Sequence, residues 1–402
     1  MKLLNLRTKA RLVLPYACGA FAFFIFLIPT FSNILLAVLV MLWLLDSDFR
    51  QKASLIASQK ILIAFSAFFI LYLIGSTYTD DLEDAKGAVI MRLPLVLLPI
   101  VIGTFISPLT KPELRAILTT YIASAIICSL FLVYISIYQA QATDTDFFRY
   151  VLTAPDYEIV DLSRLKNHRP YLGLFVAFAI FLLTFEDTTY FKKSTTRLLI
   201  ALFLLLSLFF LFKAKMSVVS VIILMVLRFY PKPIYAKAIT SILLVIVAVI
   251  LHDPIIDFVY NKIILSDGGS RFRNWATSID AIKNSPIVGY GSGDELVALQ
   301  MFRDPEAWEY IHTYNSHNQY LSILLQLGII GMSVFAVVLF FLLYQSRKYY
   351  RPGIYFVLLF ILAGFSEVLL SRNAGVLFFG FFSGLIISHI RYLSLSHTIK
   401  DT

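Results

Sequence analysis

The sequence predicts an all-α polytopic membrane protein, and three observations carry that expectation. Its composition is 59% hydrophobic and 15% charged with a mean hydropathy of +0.81, whereas a soluble chain of this size carries far more charge. Apolar runs of near-span length recur along most of the chain. Lys and Arg also fall preferentially at alternate ends of those runs.

A span needs about 20 apolar residues, and about twelve runs meet or approach that length. They lie near 12–30, 33–47, 60–78, 88–107, 114–139, 170–186, 197–213, 216–230, 234–251, 318–345, 353–370 and 374–391, the second and eighth being short. An even count puts both termini on one side. With the termini in the cytoplasm, the inner segments hold most of the basic residues, including Lys2, Arg7, Lys9, Arg11, Arg50, Lys52, Lys192, Lys193, Arg347, Lys348 and Arg351. The acids fall mostly outside. The net charge of +9 is therefore a topology signal, and no basic stripe interleaved with aromatics points to nucleic acid. Cys18 and Cys128 lie inside apolar runs, which argues against a disulfide or a cysteine metal site. Met1 to Arg11 has the charge of a signal peptide, but the apolar run that follows has no clear cleavage site and is expected to remain as the first span.

The organisation follows from these runs. Residues 1–251 form nine spans with an outer loop at 140–169, residues 252–317 form a large outer loop, and residues 318–402 form three spans and a cytoplasmic tail. Loops that long in a helix bundle tend to be functional or disordered. The second is not disordered by composition. Ser270 can cap a helix that carries Trp275, Ile279 and Ile282 on one face, and Asn284-Ser285-Pro286 ends it. Gly289-Tyr290-Gly291-Ser292-Gly293 then reads as a tight flexible turn, and the capping-box spacing of Ser292 and Glu295 predicts a short helix over Glu295 to Met301. The expectation is a helical lid on the outer membrane surface between spans nine and ten.

Ser316-His317-Asn318-Gln319 stands at the mouth of span ten, facing away from the cytoplasm. A packing role would be better served by Leu, so polar residues there ask for a chemical explanation. With Ser316 as N-cap, His317 would occupy the first helical turn, where the helix dipole favours a neutral imidazole able to accept a proton. The plainer alternative is an interfacial histidine bonded to headgroups or loop carbonyls. His312 is five residues away, off the same helical face, and no carboxylate or cysteine stands at ligand spacing, so no metal is expected.

Arg271 and Arg273 open the lid helix, and Arg169 precedes Pro170 at span six. Guanidinium forks suit phosphate oxygens, and positive-inside bias does not explain them on the outer face. Pairing with outer acids is the alternative for each. Lys213 and Lys215, at the outer end of span seven, can add charge to the same site or snorkel to headgroups. The Gly289-x-Gly291-x-Gly293 run lacks the strand and spacing of a nucleotide fingerprint. Asp144-Thr145-Asp146 is expected to be a solvated turn. Gly328 with Gly331, and Gly380 with Gly384, fit close helix packing. Glu367 and Arg372 bracket the last outer turn and are expected to pair.

Ser270-Arg271 with Trp275, then Pro286, Gly289 and Gly291, then Ser316-His317-Asn318 followed by Gly328 and Gly331, resembles the O-antigen ligase and polymerase superfamily. The clear resemblance covers about residues 265–335. It implies metal-free, cofactor-free glycan transfer on the periplasmic face of the bacterial inner membrane. The donor would be a glycan on undecaprenyl diphosphate, and the acceptor a sugar hydroxyl, in ligases on lipid A–core. His317 would activate the acceptor, while Arg271, then Arg169, Arg273 and Lys215, would hold the diphosphate. Family members often carry a Ser-Arg pair where this chain has Lys213-Ala214-Lys215-Met216-Ser217, so a point charge would stand in for a fork there. Ligation is preferred over polymerisation. A twelve-span transporter, which would carry charged or broken helices near mid-membrane, is the rival of another class.

Overall fold

The computed structural model describes residues 2–46, 48–155, 158–162, 168–229 and 269–398. The span expected at 234–251 and the first part of the loop that follows lie outside the described residues. Among the described residues the chain is helical, without strands.

Each expected span on described residues contains a helix, though not always over its full length. In chain order the helices are α1 (Lys2–Leu27), α2 (Pro29–Leu45), α3 (Phe49–Ser58), α4 (Lys60–Gly75), α5 (Leu82–Gly103), α6 (Lys111–Ala142), the short α7 (Phe147–Thr153) and α8 (Glu158–Leu162), and α9 (Arg169–Leu183). They continue as α10 (Ser194–Phe210), α11 (Lys215–Phe229), α12 (Gly269–Asn284), α13 (Glu295–Gln300), α14 (Trp308–Ile311), α15 (Gln319–Tyr349), α16 (Arg351–Gly364) and α17 (Asn373–Thr398). Five of the described helices are long and apolar enough to cross a membrane: those over Arg7–Leu27, Leu82–Gly103, Lys111–Ala142, Gln319–Tyr349 and Asn373–Ser396. The apolar helices α4, α9, α10 and α16 are shorter. The 15 residues of α9, for example, rise roughly 22 Å, less than the hydrocarbon thickness of about 30 Å.

The bundle is organised around α17 and α9. Gly380 and Gly384 let α17 approach the backbone of α5 at Pro94 and Leu98, where an added Cβ would meet each carbonyl oxygen at 2.8 Å. That is the small-residue packing expected of the pair. Every residue of α9 from Tyr171 to Leu183 is buried. Phe175 stacks on Phe378, and Phe178, Phe356 and Phe382 close the same aromatic layer.

Three local signals place chain ends near the site. Pro170 sits in the first turn of α9, a position where its missing N–H costs nothing, and so fixes Arg169 at the helix head. Asp81 caps α5 by accepting from the Asp84 N–H. Asn318 caps α15 by accepting from the N–H groups of Tyr320 and Leu321. The cap is thus Asn318 rather than Ser316, and His317 lies before the helix instead of in its first turn.

Two further departures shape the architecture. The run read as a span over 353–370 is helical only to Gly364. Residues 365–371 leave the helix because neighbours capture their backbone: Tyr171 Oη donates to Val368 O at 2.9 Å, and Gln319 Oε1 accepts from Leu370 N at 2.7 Å. The second departure is in α15, which is broken at Gly328 (φ 60°, ψ −160°). The freed polar groups of α15 are met by the segment after α12. Tyr290 N and Gly291 N donate to Leu325 O and Gln326 O at 2.8 and 3.0 Å, while Ile329 N and Ile330 N donate to Pro286 O and Ile287 O at 2.9 and 3.3 Å. Irregular backbone inside a membrane protein requires such internal satisfaction. Gly289 and Gly328 face one another's backbones so closely that a side chain on either would strike the other segment. The glycine run is therefore a pinned joint between lid and bundle, not a flexible turn.

Candidate active site

His317 is set at the junction of lid and bundle. Its backbone is left-handed, with φ 47°, an unfavourable conformation for a residue with a side chain. Its N–H donates to Asn315 Oδ1 at 3.0 Å. On one side, Ser316 N and Ser316 Oγ both donate to Glu295 Oε1, at 3.1 and 2.9 Å. On the other, buried Arg303 donates to Tyr314 O and to Asn274 Oδ1, and Asn274 Nδ2 donates to Asn315 O. Tyr314 and Ser316 are thus held by charge-assisted bonds and Asn315 by a neutral amide, all from buried side chains of the 269–317 segment.

Glu295 does more than hold Ser316. Its second oxygen accepts from Ser322 Oγ and, at 2.8 Å, from Gln326 Nε2. Gln326 Oε1 in turn accepts from Arg92 Nη2 at 3.2 Å. Arg92 is buried in α5 with its guanidinium 4.2 Å from the Tyr72 ring centroid. A buried cation and a buried anion are therefore bridged through one amide. The helix predicted over Glu295 to Met301 forms as Glu295–Gln300, but Ser292 and Glu295 make no capping box. Ser292 Oγ bonds Tyr72 O instead, because the segment enters the bundle beside α4.

The buried stripe of α12 also differs from the expected one. Asn274, Ser278 and Ala281 face inward. Ile279 is exposed, and with Trp275 it lines an almost wholly apolar groove of about 490 Å³ whose other wall is Tyr320, Leu321, Ile361 and Phe365. Asn274 is drawn inward by its hydrogen bonds with Asn315 and Arg303, which leaves Trp275 and Ile279 on the groove side. Asn318, next to His317, stands at the groove's rim.

The partner of His317 is Glu367, with Nδ1 3.7 Å from Oε1, an electrostatic contact slightly beyond hydrogen-bond length. The expected Glu367–Arg372 pairing is thus replaced: the non-helical stretch after α16 turns the carboxylate toward the imidazole. Glu367 is buried. Burial is the largest single influence and pushes its carboxyl upward, yet the neighbouring His317, then His168 and Arg271, together hold it below its ordinary value. Partial burial and the Arg372 and Arg169 guanidinium groups pull His168 below the usual imidazole value, against Glu367 and Asp161. His317, Glu367, His168, Arg271, Arg169 and Arg372 thus share one electrostatic neighbourhood. Sequence reading placed Glu367 only at the last outer turn beside Arg372, and the helix ending at Gly364 is what brings it to His317.

The other sequence-derived cations fall into two groups. Arg271 is exposed on the first turn of α12, while Arg273 Nη2 binds the buried Glu309 carboxylate at 3.3 Å, within the lid. Lys215 is exposed at the head of α11. Gly173 of α9 packs on Ala214 and Ser217, so the head of α11 lies against α9. Lys213 Nζ donates to Ala154 O. Among the described residues no group of three or more His, Cys, Asp and Glu side chains converges as metal ligands would.

The fold and site together define a multi-pass, all-α membrane protein with a His–Glu pair set between the polar 269–317 segment and a helix bundle. Residues 193–336 match the family described as O-antigen ligase, a stretch that contains α12, Glu295, Ser316-His317-Asn318 and Gly328. That match places the stretch in the O-antigen ligase and polymerase superfamily, whose chemistry is glycan transfer in polysaccharide biosynthesis. No curated protein matches the chain.

Proposed function

We propose that the protein transfers a glycan from an undecaprenyl-diphosphate donor to a sugar hydroxyl on the periplasmic face of the inner membrane, with lipid A–core as the acceptor. The observation that carries this reading is the His317–Glu367 pair, with Asn318 beside it on the wall of an apolar groove and the Arg271 charge acting on the same carboxylate.

In the proposed step the acceptor O–H loses its proton to His317 Nε2 as its oxygen forms a bond to the donor's anomeric carbon. The bond from that carbon to the diphosphate oxygen breaks, and the lipid diphosphate leaves with the electron pair. Glu367 orients the ring through Nδ1 and balances the charge the ring acquires, as a carboxylate does for a catalytic imidazole elsewhere. Arg271, with Arg169 and Lys215, stabilises the charge on the departing diphosphate, and the groove takes apolar chain. Arg273 is assigned a supporting part through Glu309. Direct displacement inverts the anomeric centre and uses no cofactor or metal. The proposed topology has both termini in the cytoplasm and residues 252–317 outside.

Repeat-unit polymerisation uses the same parts and differs in acceptor. The transporter reading draws on two features that are present, the buried Arg92 and the broken α15. Arg92 donates to Ala88 O and Gln326 Oε1, and the 286–291 backbone meets the break in α15, so both features are engaged by protein groups. The deciding experiment is the glycolipid profile of the host carrying His317→Ala at normal membrane level. Loss of the whole polysaccharide ladder, with lipid-linked polymer accumulating and bare core remaining, is expected. Core carrying a single repeat unit would make it a polymerase, and an unchanged profile would remove His317 from catalysis.

A further inference from the structure

An unbroken sequence of aromatic rings runs from the lid surface to His317. The Trp308 and His312 rings stack with centroids 3.5 Å apart and planes at 25°. His312 lies 6.3 Å from Tyr314, and Tyr314 meets His317 edge-on at 5.4 Å and 81°. Trp308 is 57% exposed and Tyr314 36%.

These exposed rings stand on fixed ground. His312 Nδ1 is 3.0 Å from Trp308 O, and Trp308 Nε1 donates to Tyr314 Oη at 3.4 Å. Below them, Arg303 donates to Glu309 O at 3.2 Å and to Tyr314 O, and Gln300 donates to Tyr310 O at 3.0 Å. Large aromatic surface held rigidly in the open is a binding feature, because folding alone would bury it.

The ring chemistry selects the ligand. Pyranose rings present C–H faces that stack on aromatic surface and hydroxyl edges that need acceptors. The exposed acids Asp304 and Glu306 border Trp308 and supply such acceptors. A bilayer surface is a poorer fit, since segments that lie on membranes are rich in Lys and Arg to meet anionic headgroups. Ile311, 62% exposed on the same short helix, is the feature a bilayer would favour. The track reaches His317 through the Tyr314 ring, while Nδ1 of His317 faces Glu367, the carboxylate that feels Arg271.

We infer that Trp308, His312 and Tyr314 form a stacking track that binds the acceptor glycan and leads its reacting hydroxyl to His317. The inference rests on the glycan-transfer reading for the identity of the acceptor, but binding can be measured without turnover. The probe is delipidated oligosaccharide released from the host's own envelope glycolipids, titrated into the full chain in nanodiscs and followed by calorimetry. Trp308→Ala and Tyr314→Ala are each expected to weaken binding about tenfold, the size of one stacked ring pair, with Trp308→Tyr retaining most of it. The same substitutions raise the acceptor KM and leave the donor KM where it was. Equal affinity in wild type and both alanine variants overturns the track. So does quenching of tryptophan emission by brominated lipids that disappears in Trp308→Ala, which assigns the rings to the bilayer. If His317→Ala abolishes neither transfer nor binding, the catalytic reading fails while the track stands on its own measurement.

Discussion

Replacing Glu295 tests the claim that the lid is the mount for the catalytic histidine. Four donors converge on this carboxylate: Ser316 N, Ser316 Oγ, Ser322 Oγ and Gln326 Nε2. In Glu295→Gln one oxygen becomes a donor. Ser322 can rotate its hydroxyl, but Gln326 can flip its amide only by turning a donor toward Arg92. One buried hydrogen bond to a charged group is therefore lost, about 1.5–3 kcal/mol. Glu295→Ala also leaves Arg92 without its buried counter-charge, which raises the expected cost to about 3–5 kcal/mol. Activity should fall further than stability accounts for, because Ser316 is the residue that holds His317 in its left-handed conformation. A displacement of about 1 Å at a reacting group costs roughly a hundredfold in rate. The assays are thermal unfolding of the purified protein in detergent and glycan transfer per folded molecule. Turnover per folded molecule equal to wild type in Glu295→Ala would refute the mounting role, and unchanged unfolding would refute the buried-charge argument.

Three further outcomes are expected. Glu367→Gln should cost about 1–3 kcal/mol near neutral pH. Because the folded carboxyl lies below its ordinary value of 4.5, that contribution is complete above this value and is lost as pH falls through the lower folded one. Thermal unfolding of wild type and Glu367→Gln should therefore converge in acid, and a gap constant with pH would contradict the assignment. Arg271→Ala should raise the donor KM about tenfold or more, with Arg271→Lys intermediate because an ammonium lacks the fork. An unchanged donor KM in the alanine variant would remove Arg271 from the diphosphate site. Gly328→Ala should destabilise strongly, since φ 60° with ψ −160° is essentially a glycine conformation and a side chain would strike the Ile287 carbonyl. Wild-type unfolding behaviour in that variant would mean the break in α15 can relax.

Much of this arrangement is legible in the sequence, and the rest fails for identifiable reasons. Apolar runs mark the helices because lipid and core impose one demand, and Gly380 with Gly384 marks their closest approach. His317 is marked by being polar where a packing residue would serve. Its conformation is not legible, since Ser316 and Asn318 are both good caps and only the tertiary pull of Glu295 on Ser316 chooses between them. Glu367 is hidden because Phe365 to Leu370 reads as more of the same span. Nothing local ends α16 at Gly364. Tyr171 of α9, and Asn318 with Gln319 at the head of α15, do so from two other places in the fold by capturing the backbone. The aromatic track is hidden for a simpler reason: Trp308 and His312 share a helical face, but the helix ends there, and only the fold brings Tyr314 into line with them.

The glycines and the charged residues of the lid serve one purpose between them. A continuous α15 would need no partner, and the lid would be free to drift. Breaking α15 at Gly328 exposes carbonyls at Leu325 and Gln326 that only the 286–291 backbone reaches, and glycine at 289 is what allows that approach. The lid is thereby tied to the bundle beside Gln326, the residue that also joins Arg92 to Glu295. From Glu295 the constraint passes to Ser316 and so to His317. Glu367 arrives from the opposite side on a loop anchored by α9 and α15. The imidazole is thus fixed by two independent structures, lid and bundle, whose meeting is enforced by a helix that cannot satisfy its own hydrogen bonds. In the proposed reaction, where the base would meet a lipid-borne donor and a separate acceptor, such fixing supplies the geometry that transfer demands.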